Sequence, residues 1–216
     1  MSSNLAFYGG TFDPVHRGHL AVAQAALADP RFKLECIYFV PASIPPHKQG
    51  QPITSYADRL AMLELALEES GEKRFVASKL EAPNASGVPN YSVNSVRQIK
   101  TQLARERRRS DLYFIVGIDS FRQIGSWRDP VALMRECKFI VASRPGFSLP
   151  KPDDLLPAEL KKEFHDVAED RVFLLPTVAE DVSSTQIRDA VANRKPLEAF
   201  VTPSVAAYIS EHRLYR

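Results

Sequence analysis

Six short apolar runs alternate with segments of helical periodicity, and this alternation restricts the fold more than any other feature of the chain. The runs are Leu5–Tyr8, Cys36–Val40, Phe75–Ser78, Leu112–Val116, Phe139–Ala142 and Val172–Leu175. Between and after them, apolar residues recur every three or four positions. Leu20, Ala23 and Leu27 form one such face, Leu60, Leu63 and Leu67 a second, and Val93, Val96, Ile99 and Leu103 a third. Ile187 and Val191 suggest a fourth, and Val205, Ile209 and His212 a fifth. Strands that alternate with helices predict an α/β fold of Rossmann-like type: a mostly parallel sheet with helices on both faces. A small helical part is expected from about residue 183, within a single domain spanning residues 1–216. In such sheets ligands bind beyond the carboxyl ends of the strands.

The motif Gly9-Gly10-Thr11-Phe12-Asp13-Pro14-Val15-His16-Arg17-Gly18-His19 falls at that end of the first run. A glycine lets a phosphate approach the backbone. The next helix is expected to begin between Val15 and Gly18, where its free N–H groups and dipole favour an anion. His16 and His19, at i and i+3, share one helical face and offer imidazole donors to phosphate oxygens. A lone histidine would more often be a buried one satisfied by backbone; two in this setting point to a phosphate site. Neither a G-x-x-x-x-G-K-[ST] loop nor a G-x-G-x-x-G fingerprint is present, which argues against kinase-like transfer and hydride transfer. Far downstream, Ser183-Ser184-Thr185 opens another helical pattern, with Arg188 one turn inside. One hydroxyl suffices as an N-cap; three of them beside an arginine suit the β- and γ-phosphates of a nucleotide.

The rest of the composition narrows the class. Lys and Arg number 28 against 26 Asp and Glu, a net charge of +2, which gives no broad footprint for nucleic acid or an anionic membrane. Cys36 and Cys137 lie beside apolar runs and are expected to be buried free thiols, as in a reducing compartment. Met1–Asn4 lacks the basic and apolar segments of a signal peptide, and no run approaches membrane-spanning length, so a cytoplasmic location is expected. Loops are expected at Pro41–Pro52, Ala82–Asn90 and Pro145–Pro157. The four arginines of Arg105–Arg109 suit a solvated helix end.

On these motifs the chain resembles the bacterial nicotinate mononucleotide adenylyltransferases of the H-x-G-H nucleotidyltransferase superfamily. The superfamily pattern G-x-F-D-x-x-H-x-G-H runs here from Gly10 to His19. More specific are Pro45-Pro46-His47-Lys48, Gly117-Ile118-Asp119, Trp127, Arg144-Pro145-Gly146 and Ser183–Arg188. The resemblance implies adenylyl transfer from ATP to nicotinate mononucleotide by direct attack on the α-phosphate, with Mg²⁺ carried by the ATP phosphates and no dedicated metal cage. It implies His16 and His19 as catalytic residues. Gly9, Gly10, Thr11, Phe12, Gly117, Asp119, Arg144, Ser183, Ser184, Thr185 and Arg188 would join them in binding ATP. Gly9, Lys48, Tyr91, Ser92, Trp127 and Arg128 would hold the mononucleotide, with Trp127 stacking on the pyridine ring. Asn90-Tyr91-Ser92 replaces the family's Ser-Tyr-Thr, a change that backbone donation to the nicotinate carboxylate survives. The same residues leave room for a nicotinamide mononucleotide or phosphopantetheine acceptor, and for a sensor without turnover; a class I synthetase-like enzyme is disfavoured by the short chain. Homo-oligomerisation is compatible with the sequence but not specified by it.

Overall fold

The computed structural model describes residues 4–45, 52–83, 90–143, 151–164, 168–175 and 182–216. Six parallel strands lie in the order β3-β2-β1-β4-β5-β6. They are β1 (Asn4–Gly10), β2 (Leu34–Pro41), β3 (Phe75–Ala77), β4 (Leu112–Gly117), β5 (Lys138–Ala142) and β6 (Val172–Leu175). All six expected runs are strands. The first is longer than its apolar core, so Gly9 and Gly10 are the last two residues of β1 and not its sequel. Strand order reverses between β1 and β4, and a crevice opens there at the carboxyl ends.

Alternation along the strands divides the core. Ala6 and Tyr8 of β1, and Tyr113 and Ile115 of β4, point to one face. There they meet α1 (Arg17–Ala28), α2 (Tyr56–Ser70), α9 (Ser184–Ala192) and α10 (Pro203–Glu211). Leu5, Phe7, Leu112, Phe114 and Val116 point to the other face. They pack on α3 (Ser92–Arg105), α4 (Ile118–Phe121), α5 (Pro130–Glu136), α6 (Pro152–Leu155), α7 (Ala158–Phe164) and α8 (Ala168–Arg171). Both faces of each central strand are therefore apolar, as a parallel sheet buried on both sides requires.

Local chemistry sets the helix ends. Ser55 caps α2 by accepting the Asp58 N–H at 3.1 Å, and Gly71 ends it at φ 68°, a left-handed value that suits glycine. Asp129 accepts the Ala132 N–H at 3.3 Å, and Pro130 opens α5. Three expectations need correction. Pro145–Pro157 is not loop throughout: Pro152 starts α6, and Leu155 and Leu156 are buried. His212 is not on the packed face of α10; it is the exposed C-cap residue, its ring stacked on Tyr208 at 3.9 Å. Cys137 is buried and free as expected, but Cys36 is only half-buried. No helix among the described residues is long and apolar enough to cross a membrane.

Candidate active site

The turn from β1 into α1 is held by a buried ring. Phe12 has φ 50°, rare for a residue with a side chain, and its ring is 1% exposed. It packs on Tyr8 at 5.7 Å, Phe39 at 5.9 Å and His19 at 4.9 Å. A Cβ on Gly10 would lie 2.9 Å from that ring, so Gly10 is required by packing. A Cβ on Gly9 would press on Phe7 and Phe114 at 3.2 Å. Each glycine makes room for an aromatic ring, a packing duty that the sequence reading did not include. Phe12 can meet a nucleotide only through its backbone.

His16 is the N-cap of α1 and His19 the third residue of the helix. The His16 backbone N–H donates to His19 Nδ1 at 3.2 Å, and the two rings stack at 3.6 Å and 28°. Accepting at Nδ1 places the proton of a neutral His19 on Nε2. His16 is buried, and its Nδ1 has no hydrogen-bond partner among the described residues. Burial lowers its pKa to about 4, so the ring is uncharged at neutral pH. The first turn of α1 carries no acidic side chain to offset the helix dipole.

The N-terminus of α9 docks on the same turn. Ser183 is its N-cap, accepting the Gln186 N–H at 3.3 Å. Ser184 donates to the Pro14 carbonyl at 3.0 Å, and Arg188 donates to the Asp13 carbonyl at 2.8 Å and to Thr185 Oγ1 at 3.1 Å. The three hydroxyls therefore have distinct structural duties: cap, tie to the Pro14 carbonyl, and contact with Arg188. Through Ser184 and Arg188 the start of α9 is fixed to Pro14 and Asp13, just ahead of His16 in the chain.

On the other side of β1, where Phe7 and Phe114 face, lies a cavity of about 270 Å³. Gly9, Gly10 and Thr11 form its floor, and Trp127, Tyr91, Ser92 and Arg128 line it. Trp127 is half-buried and tilts against Phe114 at 5.8 Å, so it packs on the core and also walls the cavity. The Arg128 guanidinium lies 5.6 Å from the Tyr91 ring centre. Tyr91 and Ser92 are the N-cap and first residue of α3, whose first turn also lacks an acidic side chain. Gly117 and Asp119 sit at the exposed carboxyl end of β4 and do not line this cavity. Lys48 and Arg144, with their neighbours Pro46, His47, Pro145 and Gly146, lie outside the described residues.

Three contributors were not foreseen. Arg59 is 1% exposed and donates to the carbonyls of Thr11 at 2.6 Å, Thr54 at 3.0 Å and Ser43 at 3.3 Å. Tyr215 donates from its hydroxyl to Asp13 Oδ1 at 2.7 Å. Glu81, 5% exposed, also lines the cavity and accepts a 2.5 Å bond from Ser95 Oγ. Arg59 directly precedes the apolar stripe of α2, and nothing in that spacing separates it from a solvated arginine. Among the described residues, no group of three or more His, Cys, Asp or Glu could hold a metal ion by itself.

A strand-end turn with two stacked histidines, two helix N-termini and an aromatic cavity across the switch point is the layout of a nucleotidyltransferase. Residues 7–190 match the cytidylyltransferase-like family, and the chain belongs to it. Within that family it groups with the nicotinate-nucleotide adenylyltransferases. A probable nicotinate-nucleotide adenylyltransferase of Moorella thermoacetica is 36% identical over 208 residues, 96% of this chain and 89% of the relative. One from Symbiobacterium thermophilum is 38% identical over 213 residues, 99% and 95%. In fold, the chain matches Plasmodium falciparum nicotinic acid mononucleotide adenylyltransferase complexed with NaAD, at a TM-score of 0.72 and 18% identity, covering 99% of this chain and 97% of that one.

Proposed function

We propose that this chain transfers the adenylyl group of ATP to nicotinate mononucleotide, forming nicotinate adenine dinucleotide and pyrophosphate in NAD biosynthesis. The observation that carries the reading is the pair of subsites joined at Gly9–Thr11: a histidine-lined phosphate site on one side of β1, an aromatic cavity on the other. A phosphate oxygen of the mononucleotide attacks the α-phosphorus of ATP. The new P–O bond forms as the bond to the β-phosphate breaks, and pyrophosphate leaves with the electron pair. Both reactants are anions, so the protein's task is to neutralise charge and align the two phosphates.

His19 donates from Nε2, and neutral His16 adds a second imidazole beside it, at the dipole end of α1. Ser183, Ser184, Thr185 and Arg188 attend the leaving phosphates. Gly9, Gly10, Thr11 and Phe12 contribute backbone, and Gly117, Asp119 and Arg144 the nucleoside side of ATP. In the cavity Trp127 stacks on the pyridine ring, Tyr91, Ser92 and Arg128 meet its carboxylate, and Lys48 assists in holding the mononucleotide. Mg²⁺ carried by the ATP phosphates would supply charge neutralisation on the leaving pyrophosphate. The domain works as one unit in the cytoplasm, with α9 and α10 as its helical elaboration.

The test is pyrophosphate release with ATP and Mg²⁺, comparing nicotinate mononucleotide, nicotinamide mononucleotide and phosphopantetheine. Strong preference for the first is expected. Preference for either other acceptor overturns the substrate, and silence with all three overturns the activity.

A further inference from the structure

The acceptor cavity contains an acid that the reaction does not use. Glu81 follows β3 and lines the same cavity as Tyr91, Ser92, Trp127 and Arg128. Its side chain is 5% exposed, and its Oε1 accepts the Ser95 hydroxyl at 2.5 Å. Ser95 lies in the first turn of α3, one turn from Tyr91 and Ser92. A carboxylate buried at the wall of a cavity that receives an anionic ring would repel it, and in a water-poor site that repulsion is strong. A neutral carboxylic acid would not. With Oε1 accepting from Ser95, the proton of the neutral form sits on Oε2.

We propose that Glu81 is a proton-linked specificity residue: neutral, it admits the anionic pyridine ring of nicotinate mononucleotide, and ionised, it discriminates against that ring in favour of an uncharged one. The proposal rests on the acceptor assignment above. Burial pushes the Glu81 carboxyl up to about 7, while the Ser95 bond pulls it down. That puts both forms within the physiological range. Among the described residues, the groups that face it are few. Tyr56 comes from α2, a phenol whose own pKa Glu81 helps to raise, and Tyr91 and Arg128 line the same cavity. Arg59, one turn along α2 from Tyr56, is committed to three carbonyls. β1, the Thr11 that follows it, and β4 contribute Phe7, Gly9, Gly10, Thr11, Phe114 and Val116, none of which titrates as a carboxylate or amine.

The experiment is the ratio of kcat/KM for nicotinate over nicotinamide mononucleotide as a function of pH. The acceptor phosphate and ATP titrate alike in both reactions, so the ratio isolates the charge on the ring. For a turnover of the amide too slow to follow, calorimetric dissociation constants of the two mononucleotides give the same ratio. In the wild type the ratio is expected to fall about tenfold as pH rises through neutrality. In Glu81→Gln, which keeps an oxygen for Ser95, it is expected to stay flat at its acid-side level. In Ser95→Ala the fall is expected at higher pH, because the lost bond favours the ionised form. A flat wild-type ratio overturns the proposal, as does an unchanged break in either variant. Absence of turnover with nicotinate mononucleotide at every pH refutes the acceptor assignment instead, so the two failures are distinct.

Discussion

His19 shows how one residue's position is set by its neighbours. Its Nδ1 is engaged by the His16 backbone, and its ring is held between Phe12, Tyr8 and His16. Nε2 is thus oriented by the surrounding rings and backbone, as the proposed role in stabilising the transition state requires. His19→Ala is expected to lower kcat by roughly 10²–10³ while nicotinate mononucleotide binds nearly normally, as single-turnover kinetics and calorimetry would separate. Trp127 has a mixed duty, since it packs on Phe114 and also lines the cavity. Trp127→Ala is expected to weaken mononucleotide binding by about 1–3 kcal/mol, the range for base–aromatic stacking. An unchanged dissociation constant would return the residue to the core alone.

Among elements, the contact of α2 with two loops decides whether the β1–α1 turn keeps its shape. Arg59 reaches out of α2 to the carbonyls of Thr11, Ser43 and Thr54, so one cation ties the turn after β1 to the loop after β2. Burial lowers the guanidinium's pKa, although it remains charged. Replacing it strands three carbonyl groups in a dry environment. Arg59→Met, which keeps much of the volume, is expected to cost on the order of 3 kcal/mol in urea unfolding and to raise the KM for ATP. Equal stability with an unaltered KM would show that water replaces the guanidinium at no cost. α9 is tied to the same turn from the opposite side, through Ser184 and Arg188.

Over the whole molecule, two buried groups pull stability in opposite directions with pH. His16 has its folded pKa lowered from 6.5 to about 4, so its contribution is present above 6.5 and is lost as pH falls toward 4. Glu81 has its folded pKa raised from 4.5 to about 7, so its contribution is present below 4.5 and is lost as pH rises toward 7. Between those values the two offset each other. Glu81→Gln removes one of them, and its stability relative to wild type is expected to rise with pH by up to about 1.4 kcal/mol per unit over that window. Urea midpoints at several pH values measure this; a constant difference would mean that Glu81 does not change protonation on folding.

The sequence alone determined the layers and where the Gly9–His19 and Ser183–Arg188 motifs fall in them. Strand and helix periods differ, and six apolar runs separated by helical stretches admit few arrangements besides a parallel sheet. The Gly9–His19 motif at a strand end and the Ser183–Arg188 motif at a helix start were legible because their chemistry is local: neighbouring residues make a cap, a turn or a shared face. Helices α4 to α8 were not legible, since four to seven residues are too few to show a period. Only the tertiary structure decided that Gly10 serves Phe12, that Arg59 joins two loops, that Tyr215 holds Asp13, and that Glu81 faces the same cavity as Trp127. Each of these depends on partners brought together by sheet order and helix packing. A charged or polar residue gives no sign in sequence of whether it will meet solvent or a buried partner.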